Sequence, residues 1–217
     1  MGFEVSRFGP LVHAVTTACL GPSGGPVNHI GQRGSGTAIV LATMYGDAVS
    51  LDTATQRLVA GKPPKPLLFY QSANTSVLSH LTRRYAIRGP LTCVSAVHDP
   101  AAEALRIADT LLDDPEVVQV LVVGAETRPT ERVRRTEELA ASGNEYTRLP
   151  TDDAATALLL RRLGDGDTAR LDLVEAETDD TAPPPGPLGW LERLMGLCAA
   201  IDVEPESART RHFEFSV

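Results

Sequence analysis

The chain is short of cysteine, of basic charge and of long apolar runs, and each shortage excludes a class of protein. Its three cysteines, Cys19, Cys93 and Cys198, stand far apart without a Cys-x-x-Cys pair, so neither a disulfide framework nor a zinc site is indicated. We interpret them as reduced thiols of a cytoplasmic protein. No apolar run reaches the roughly 20 residues of a membrane span. The first residues lack the charged head and apolar stretch of a secretory signal.

Charge and composition exclude further classes of protein. The 20 Lys and Arg residues are outnumbered by 28 Asp and Glu residues, which gives a net charge of −8. A nucleic-acid surface would need a basic face, so we expect no nucleic-acid partner. The histidines show no metal-ligand spacing, and we predict no metal site. A hydrophobic content of 42% with 22% charged residues is typical of a globular chain.

Buried strands alternate with helices along most of the sequence, which predicts an α/β fold. The sheet is expected to be mixed and to be covered by helices on both faces. The predicted strands are 36–46, 89–97, 117–127 and 153–163, and the predicted helices are 47–61, 75–86, 99–116 and 129–142. Between the first helix and the second, three prolines in "KPPKPLLFYQSAN" (62–74) predict a loop or extended segment.

The composition changes near the C-terminus. "TDDTAPPPGPLGW" (178–190) has the prolines and glycines of a linker, and 188–203 has the spacing of an amphipathic helix. The tail "RHFEFSV" alternates as a short strand does. We therefore divide the chain into a domain over 1–178 and a C-terminal arm over 179–217.

The stretch "LTCVSAVHDPAAEAL" (91–105) carries an apolar strand into the start of a helix, a place where many enzymes hold a nucleophile. A helix N-terminus stabilises negative charge and so activates a cysteine. Here His98 occupies the junction, and neutral imidazole is a far poorer acyl-carrying nucleophile. His98 either fills the pocket or acts as a base or hydrogen-bond donor. Asp99 either caps the helix or orients His98. Cys93 and Ser95 share one side of the strand and fit a core or an interface.

Three sequence motifs, in the same order as here, resemble motifs of the β-ketoacyl synthase family of the thiolase fold. Tyr85 and Ile87–Pro90 match that family's Tyr-Gly-Ile-Arg-Gly-Pro phrase, which leads into a strand, the nucleophilic cysteine and its helix. "VLVVGAET" (120–127) is similar to the strand that ends Gly-Gly-Ala-Glu in that family. "DDAATALLLRRLGDG" (152–166) is similar to a later strand of the family. The resemblance spans roughly 36–175.

The resemblance implies half of a thiolase-like layered fold with a C-terminal helical arm. The family's cysteine position falls on His98, and the part that carries the family's catalytic histidines has no match, which implies a truncated subunit similar to a chain-length factor. Such a subunit does not catalyse alone. It would pair with a full-length ketosynthase in type II polyketide, polyene or fatty-acid-like biosynthesis, and would shape its acyl tunnel.

The resemblance also implies where the partners would bind. The strand 91–97 would pair with the ketosynthase across a two-fold axis, and the loop before the preceding helix would reach its acyl pocket. The residues implied at the tunnel and interface are Phe69, Tyr70, Gln71, Ser72, Asn74, Leu91, Cys93 and Ser95. The chain would need no cofactor of its own, because an acyl carrier protein presents the phosphopantetheine thioester. Candidate contacts for that acidic carrier are Arg83, Arg84, Arg132, Arg134 and Arg135.

A second interpretation of the same residues stays open. The chain could be a small acyl-thioester enzyme, a decarboxylase, thioesterase or acyltransferase, that uses His98 with Asp99. It lacks a covalent nucleophile at the junction, and no Gly-x-Ser-x-Gly elbow surrounds Ser95.

Overall fold

The computed structural model describes residues 5–25, 28–96, 99–140, 148–164, 169–174, 186–202 and 211–216. Its helices are α1 (Phe8–Leu20), α2 (Ala48–Val59), α3 (Pro66–Ser72), α4 (Asn74–Tyr85), α5 (Pro100–Leu112), α6 (Glu131–Ala140) and α7 (Leu191–Asp202). Its strands are β1 (Thr37–Ala42), β2 (Leu91–Val94), β3 (Gln119–Glu126), β4 (Ala154–Arg161), β5 (Ala169–Val174) and β6 (Arg211–Ser216).

A four-stranded mixed sheet organises the fold, with strand order β2-β1-β3-β4. β1, β2 and β3 run parallel, and β4 returns antiparallel beside β3. β1 and β3 are buried along their whole length, because they lie in the middle of the sheet and helices cover both faces. β5 and β6 form a separate parallel pair.

Alternate residues of the central strands enter two different cores. Val40 and Val122 face a core that contains residues of α5 and α7, whereas Leu41 and Val123 face a core that contains residues of α1 and α4. This is the alternation that a strand buried on both sides produces. The predicted α/β fold, with a mixed sheet covered by helices on both faces, is confirmed.

N-terminal capping residues begin the two helices that follow β1 and β2. Asp47 caps α2 by accepting a hydrogen bond from the Ser50 N–H at 3.0 Å. Asp99 caps α5 by accepting from the Ala101 and Ala102 N–H groups at 3.1 and 3.0 Å, and Pro100 stands at the first helical position. Caps of this kind satisfy N–H groups that have no partner within the helix.

One prediction fails between α2 and α4. The segment 62–74 is not wholly loop or extended, because α3 occupies 66–72 within it. The physical reason is the position of Pro66, which is the first residue of α3, where a missing N–H breaks no helical hydrogen bond. Pro63 and Pro64 stay outside the helix.

The C-terminal arm contains the predicted helix, and α7 packs on the main sheet. Trp190, Leu191, Leu194 and Leu197 are buried in the core that α5 and the sheet also line. Gly124 of β3 permits this approach, since a Cβ there would lie 2.6 Å from Leu191 Cδ2. α7 therefore covers an apolar face of β3 and β4.

Candidate functional site

The edge strand β2 presents small and apolar side chains to solvent. No described strand pairs with its outer side, and exposure alternates along it. Leu91 is 46% exposed, and Cys93 and Ser95 are exposed on the same side. Packing around the Cys93 sulfur raises the pKa of its thiol, which disfavours the thiolate that a nucleophile needs. An open edge with this composition is suited to pairing with another chain.

The loop between β1 and α2 supports the end of β2. The Ser95 hydroxyl donates to the Met44 carbonyl at 2.9 Å, and the Thr43 N–H donates to the Val94 carbonyl at 3.0 Å. Gly46 lies in the same loop with φ of 59°, and a Cβ there would collide with the side chain of Asn74. Asn74, the first residue of α4, is thus held against this loop.

Asp99 has two partners at the junction between β2 and α5. Its Oδ1 accepts the two hydrogen bonds that cap α5, and its Oδ2 pairs with Arg193 of α7. The carboxylate therefore connects α5 to α7. His98 lies outside the described residues, so its relation to Asp99 stays a prediction.

Two aromatic residues that the sequence placed at the tunnel project from α3. Phe69 is 78% exposed and Tyr70 is 40% exposed, whereas Gln71 is buried and the Ser72 hydroxyl donates to the Phe69 carbonyl at 2.8 Å. These residues lie on a helix and not on the expected loop, because α3 begins at Pro66. Exposed aromatic side chains of this size are typical of interaction surfaces.

The candidate arginines belong to two separate groups. Arg83 and Arg84 are in the last turn of α4, which leads to the first residue of β2, whereas Arg132, Arg134 and Arg135 are on α6, which follows the last residue of β3. Since β2 and β3 are parallel to β1, the two groups lie toward opposite ends of the sheet. Arg132 pairs with Asp52 at 2.5 Å, and Arg134 pairs with Glu131. The structure does not bring the five together.

Glu126 is a buried carboxyl group whose environment the sequence did not reveal. It ends β3, is 2% exposed, and accepts hydrogen bonds from the Met44 N–H and from Trp190 Nε1, the latter at 3.2 Å. Burial raises the pKa of Glu126 to about 7 against these hydrogen bonds, which lower it. The only signal was an acidic residue at the end of the most apolar strand. Glu126 joins the β1–α2 loop to the start of α7.

Within the described ranges, no group of three or more His, Cys, Asp or Glu side chains could hold a metal ion. Among the same residues, no helix is both long enough and apolar enough to cross a membrane.

No protein-family model and no curated protein matches the chain. Solved structures do show a partial likeness. A ketosynthase in complex with its chain length factor from Xenorhabdus doucetiae is 24% identical, with a TM-score of 0.49 over 62% of this chain and 52% of that one. The ishigamide ketosynthase/chain length factor is 18% identical, with a TM-score of 0.46 over 59% of this chain and 36% of that one.

A third structure is a type II polyketide synthase acyl-carrier protein in complex with its ketosynthase bound to the hexaketide. It is 16% identical, with a TM-score of 0.44 over 61% of this chain and 38% of that one. The chain thus spans about half, or less, of the length of the solved chains it matches.

Proposed function

We propose that the chain is a ketosynthase-like subunit that does not form acyl bonds itself and pairs with a full-length, cysteine-bearing ketosynthase in the cytoplasm. The observation that carries the proposal is the open edge of β2, with Leu91, Cys93 and Ser95 exposed directly before the helix that would hold a nucleophile. The order of the three sequence motifs supports the proposed relation to β-ketoacyl synthases. The partner strand would complete the sheet at this edge, as edge strands in dimers do.

The exposed aromatic residues of α3 extend the proposed surface toward an acyl tunnel. Phe69 and Tyr70 would meet the ketosynthase and occupy volume at the far end of its acyl pocket. A bulky side chain there limits how long a chain the pocket accepts, because protein interiors have little room to yield. The subunit would set product length in this way without touching the reacting atoms.

The proposal includes docking of an acyl carrier protein on one of the two arginine groups. Arg83 and Arg84 remain candidates at one end of the sheet, and Arg135 remains a candidate on α6. Arg132 and Arg134 already have carboxylate partners within the chain. Guanidinium groups suit the phosphate and carboxylates of an acyl carrier protein, so we place any docking contact on one of the two groups and not on both.

The competing proposal is an acyl-thioester enzyme that uses His98 and Asp99, of which only Asp99 is among the described residues. Both carboxylate oxygens of Asp99 have partners, the cap of α5 and Arg193. Partial burial raises the pKa of the Cys93 thiol, which disfavours the thiolate form. His98→Ala separates the two functions: retained turnover by the reconstituted complex agrees with our proposal, and lost turnover with intact assembly agrees with an enzyme.

Co-expression with the ketosynthase of the same gene cluster tests the pairing. The wild-type chain should elute with the ketosynthase in size-exclusion chromatography. Leu91→Asp should abolish co-elution, because it places a charge on the surface that the partner strand covers. Leu139→Asp is the matched control, since Leu139 is an 81% exposed leucine on α6 and should leave the complex intact. A wild-type chain that elutes alone, or a complex that tolerates Leu91→Asp, would contradict the proposal.

A further inference from the structure

A buried carboxyl group holds the loop between β1 and α2. Glu126, the last residue of β3, accepts hydrogen bonds from the Met44 N–H and, at 3.2 Å, from Trp190 Nε1. The Thr43 hydroxyl and the Tyr45 N–H hydrogen-bond the same carboxyl group. Donors from the loop and from the residue before α7 therefore meet at one side chain that is 2% exposed.

The same loop supports the docking edge, by which we mean the outer side of β2 together with Ser95. Met44 donates its N–H to Glu126, and its carbonyl accepts from the Ser95 hydroxyl at 2.9 Å. The Thr43 N–H donates to the Val94 carbonyl at 3.0 Å. Met44 thus lies directly between the buried carboxyl group and the end of the docking edge.

The hydrogen-bond partners of Glu126 favour its ionised form. Backbone and indole N–H groups donate but cannot accept, so they are matched to a carboxylate, which only accepts. Burial raises the pKa of Glu126 to about 7, and each of these hydrogen bonds opposes that shift. Contacts that favour the carboxylate are strengthened by it in return, because linkage is reciprocal. The loop and Trp190 are therefore held more firmly when Glu126 is ionised.

The groups that face Glu126 come from several elements. The loop presents Tyr45, whose pKa is raised by burial and then by Glu137 and Glu126, and is lowered by Arg132. β4 places Ala154 opposite Glu126, and α7 is preceded by the indole, neither of which titrates. Among the described residues, no charged side chain contributes to the shift of the Glu126 pKa. Its ionisation therefore depends on burial and on the hydrogen bonds of the loop and the indole.

We propose that Glu126 is a positioning residue for the docking edge: its carboxylate fixes the loop that supports β2, and so strengthens binding of the ketosynthase. The inference rests on the proposed function, because it adds a regulation to the same docking edge. Docking orders the loop, and an ordered loop favours the carboxylate. The affinity for the ketosynthase therefore rises as Glu126 ionises.

The test is the dissociation constant for the ketosynthase of the same gene cluster, measured by biolayer interferometry across the pH range for the wild-type chain and for Glu126→Gln. Glutamine is close in shape to protonated glutamate and does not ionise. The ratio of the two constants cancels any pH dependence that the ketosynthase contributes. Glu138→Gln, at an exposed glutamate on α6, is the matched control and should bind as the wild type does at every pH.

The ratio should rise with pH. The constant of Glu126→Gln should equal the wild-type constant near about pH 5.5 and exceed it about tenfold near about pH 8, which corresponds to a fall of about one unit in the pKa of Glu126 on docking. A merely structural role predicts the opposite sign. Ionisation of Glu126 lowers the free energy of unfolding, so Glu126→Gln gains stability relative to the wild type over the same range in which it loses relative affinity.

A second variant assigns the titration to Glu126. Trp190→Phe removes one donor to the carboxylate, which raises the pKa of Glu126 further. The ratio between Trp190→Phe and the double variant Trp190→Phe/Glu126→Gln should therefore rise at higher pH than the ratio in the wild-type background. An unshifted ratio would overturn the inference, because another group would then set the pH dependence.

The outcomes separate this inference from the proposed function. A ratio that stays constant with pH, while the wild-type chain binds the ketosynthase, would overturn the inference alone. Tighter binding by Glu126→Gln than by the wild type near about pH 8 would do the same. A wild-type chain that binds the ketosynthase at no pH would overturn both.

Discussion

The ionisation of Glu126 gives the most quantitative prediction. Its carboxyl is buried at the end of β3, and burial raises its pKa from 4.5 to about 7 in the folded chain. Between these two values the folded state holds a proton that the unfolded state has lost. The unfolded state therefore binds fewer protons, and the free energy of unfolding falls as pH rises. Above pH 7 both states are ionised and the loss is complete.

The size of the effect follows from the shift. One pKa unit corresponds to about 1.4 kcal/mol, so a shift of about 2.5 units corresponds to a loss of about 3 kcal/mol between pH 4.5 and pH 7. That is a large fraction of the roughly 5–15 kcal/mol by which a domain of this kind is stable. Glu126→Gln cannot ionise and should lack this slope. The side-chain oxygen of glutamine can still accept from the Met44 N–H or from Trp190 Nε1.

The assay is urea denaturation at half-unit intervals of pH, followed by tryptophan fluorescence. Trp190 is the only tryptophan, and it donates a hydrogen bond to Glu126, so its emission reports on the contact itself. The wild-type stability minus that of Glu126→Gln should fall by about 3 kcal/mol across the window. Glu138→Gln, at an exposed glutamate on α6, is the control and should retain the wild-type slope. A flat difference curve, or one that rises with pH, would refute the reasoning.

Two further predictions concern the junction and α3. Asp99→Ala should lower the free energy of unfolding by about 1–2 kcal/mol through loss of the α5 cap and the Arg193 pair, whereas Asp99→Asn should retain most of the cap. Thermal denaturation of both variants measures this, and equal stability of all three proteins would contradict it. Phe69→Ala or Tyr70→Ala should lengthen the products of the reconstituted complex, as read by mass spectrometry, while Val59→Ala, at an 84% exposed residue of α2, should not change them. An unchanged product distribution for both α3 variants would remove these residues from the tunnel.

The sequence predicted those elements whose signals are local. Asp99 followed by Pro100 has the chemistry of a cap and first turn, and α5 begins there as expected. The continuous apolar stretch around Val122 predicted a central strand, and β3 is buried throughout. In such elements propensity, capping and burial all favour the same structure.

The sequence failed where long-range contacts decide. α1 was not predicted, because its segment has glycine, proline, threonine and valine in place of strong helix formers, and packing on the sheet overrides that weakness. α3 was excluded by prolines that lie outside it or at its first position. The environment of Glu126 depends on a contact with Trp190, 64 residues away, that no periodicity encodes.

For the candidate site as well, the sequence predicted what depends on local signals and missed what depends on long-range contacts. The sequence predicted that Cys93 and Ser95 share one side of β2, since alternate strand residues share a face, but it did not decide between a core and an interface; the structure shows that side exposed. The separation of the arginines into two groups was not foreseen, because it depends on which end of the sheet each helix meets. The pairing of Asp99 with Arg193 likewise required α7 to dock beside α5.

The most direct test of the central claim is intact-mass analysis of both subunits after the complex is incubated with acylated carrier protein and quenched. We expect the substrate-derived thioester on the ketosynthase alone, with the mass of this chain unchanged. An acyl adduct on this chain, at Cys93 or at either of its other cysteines, would contradict the account.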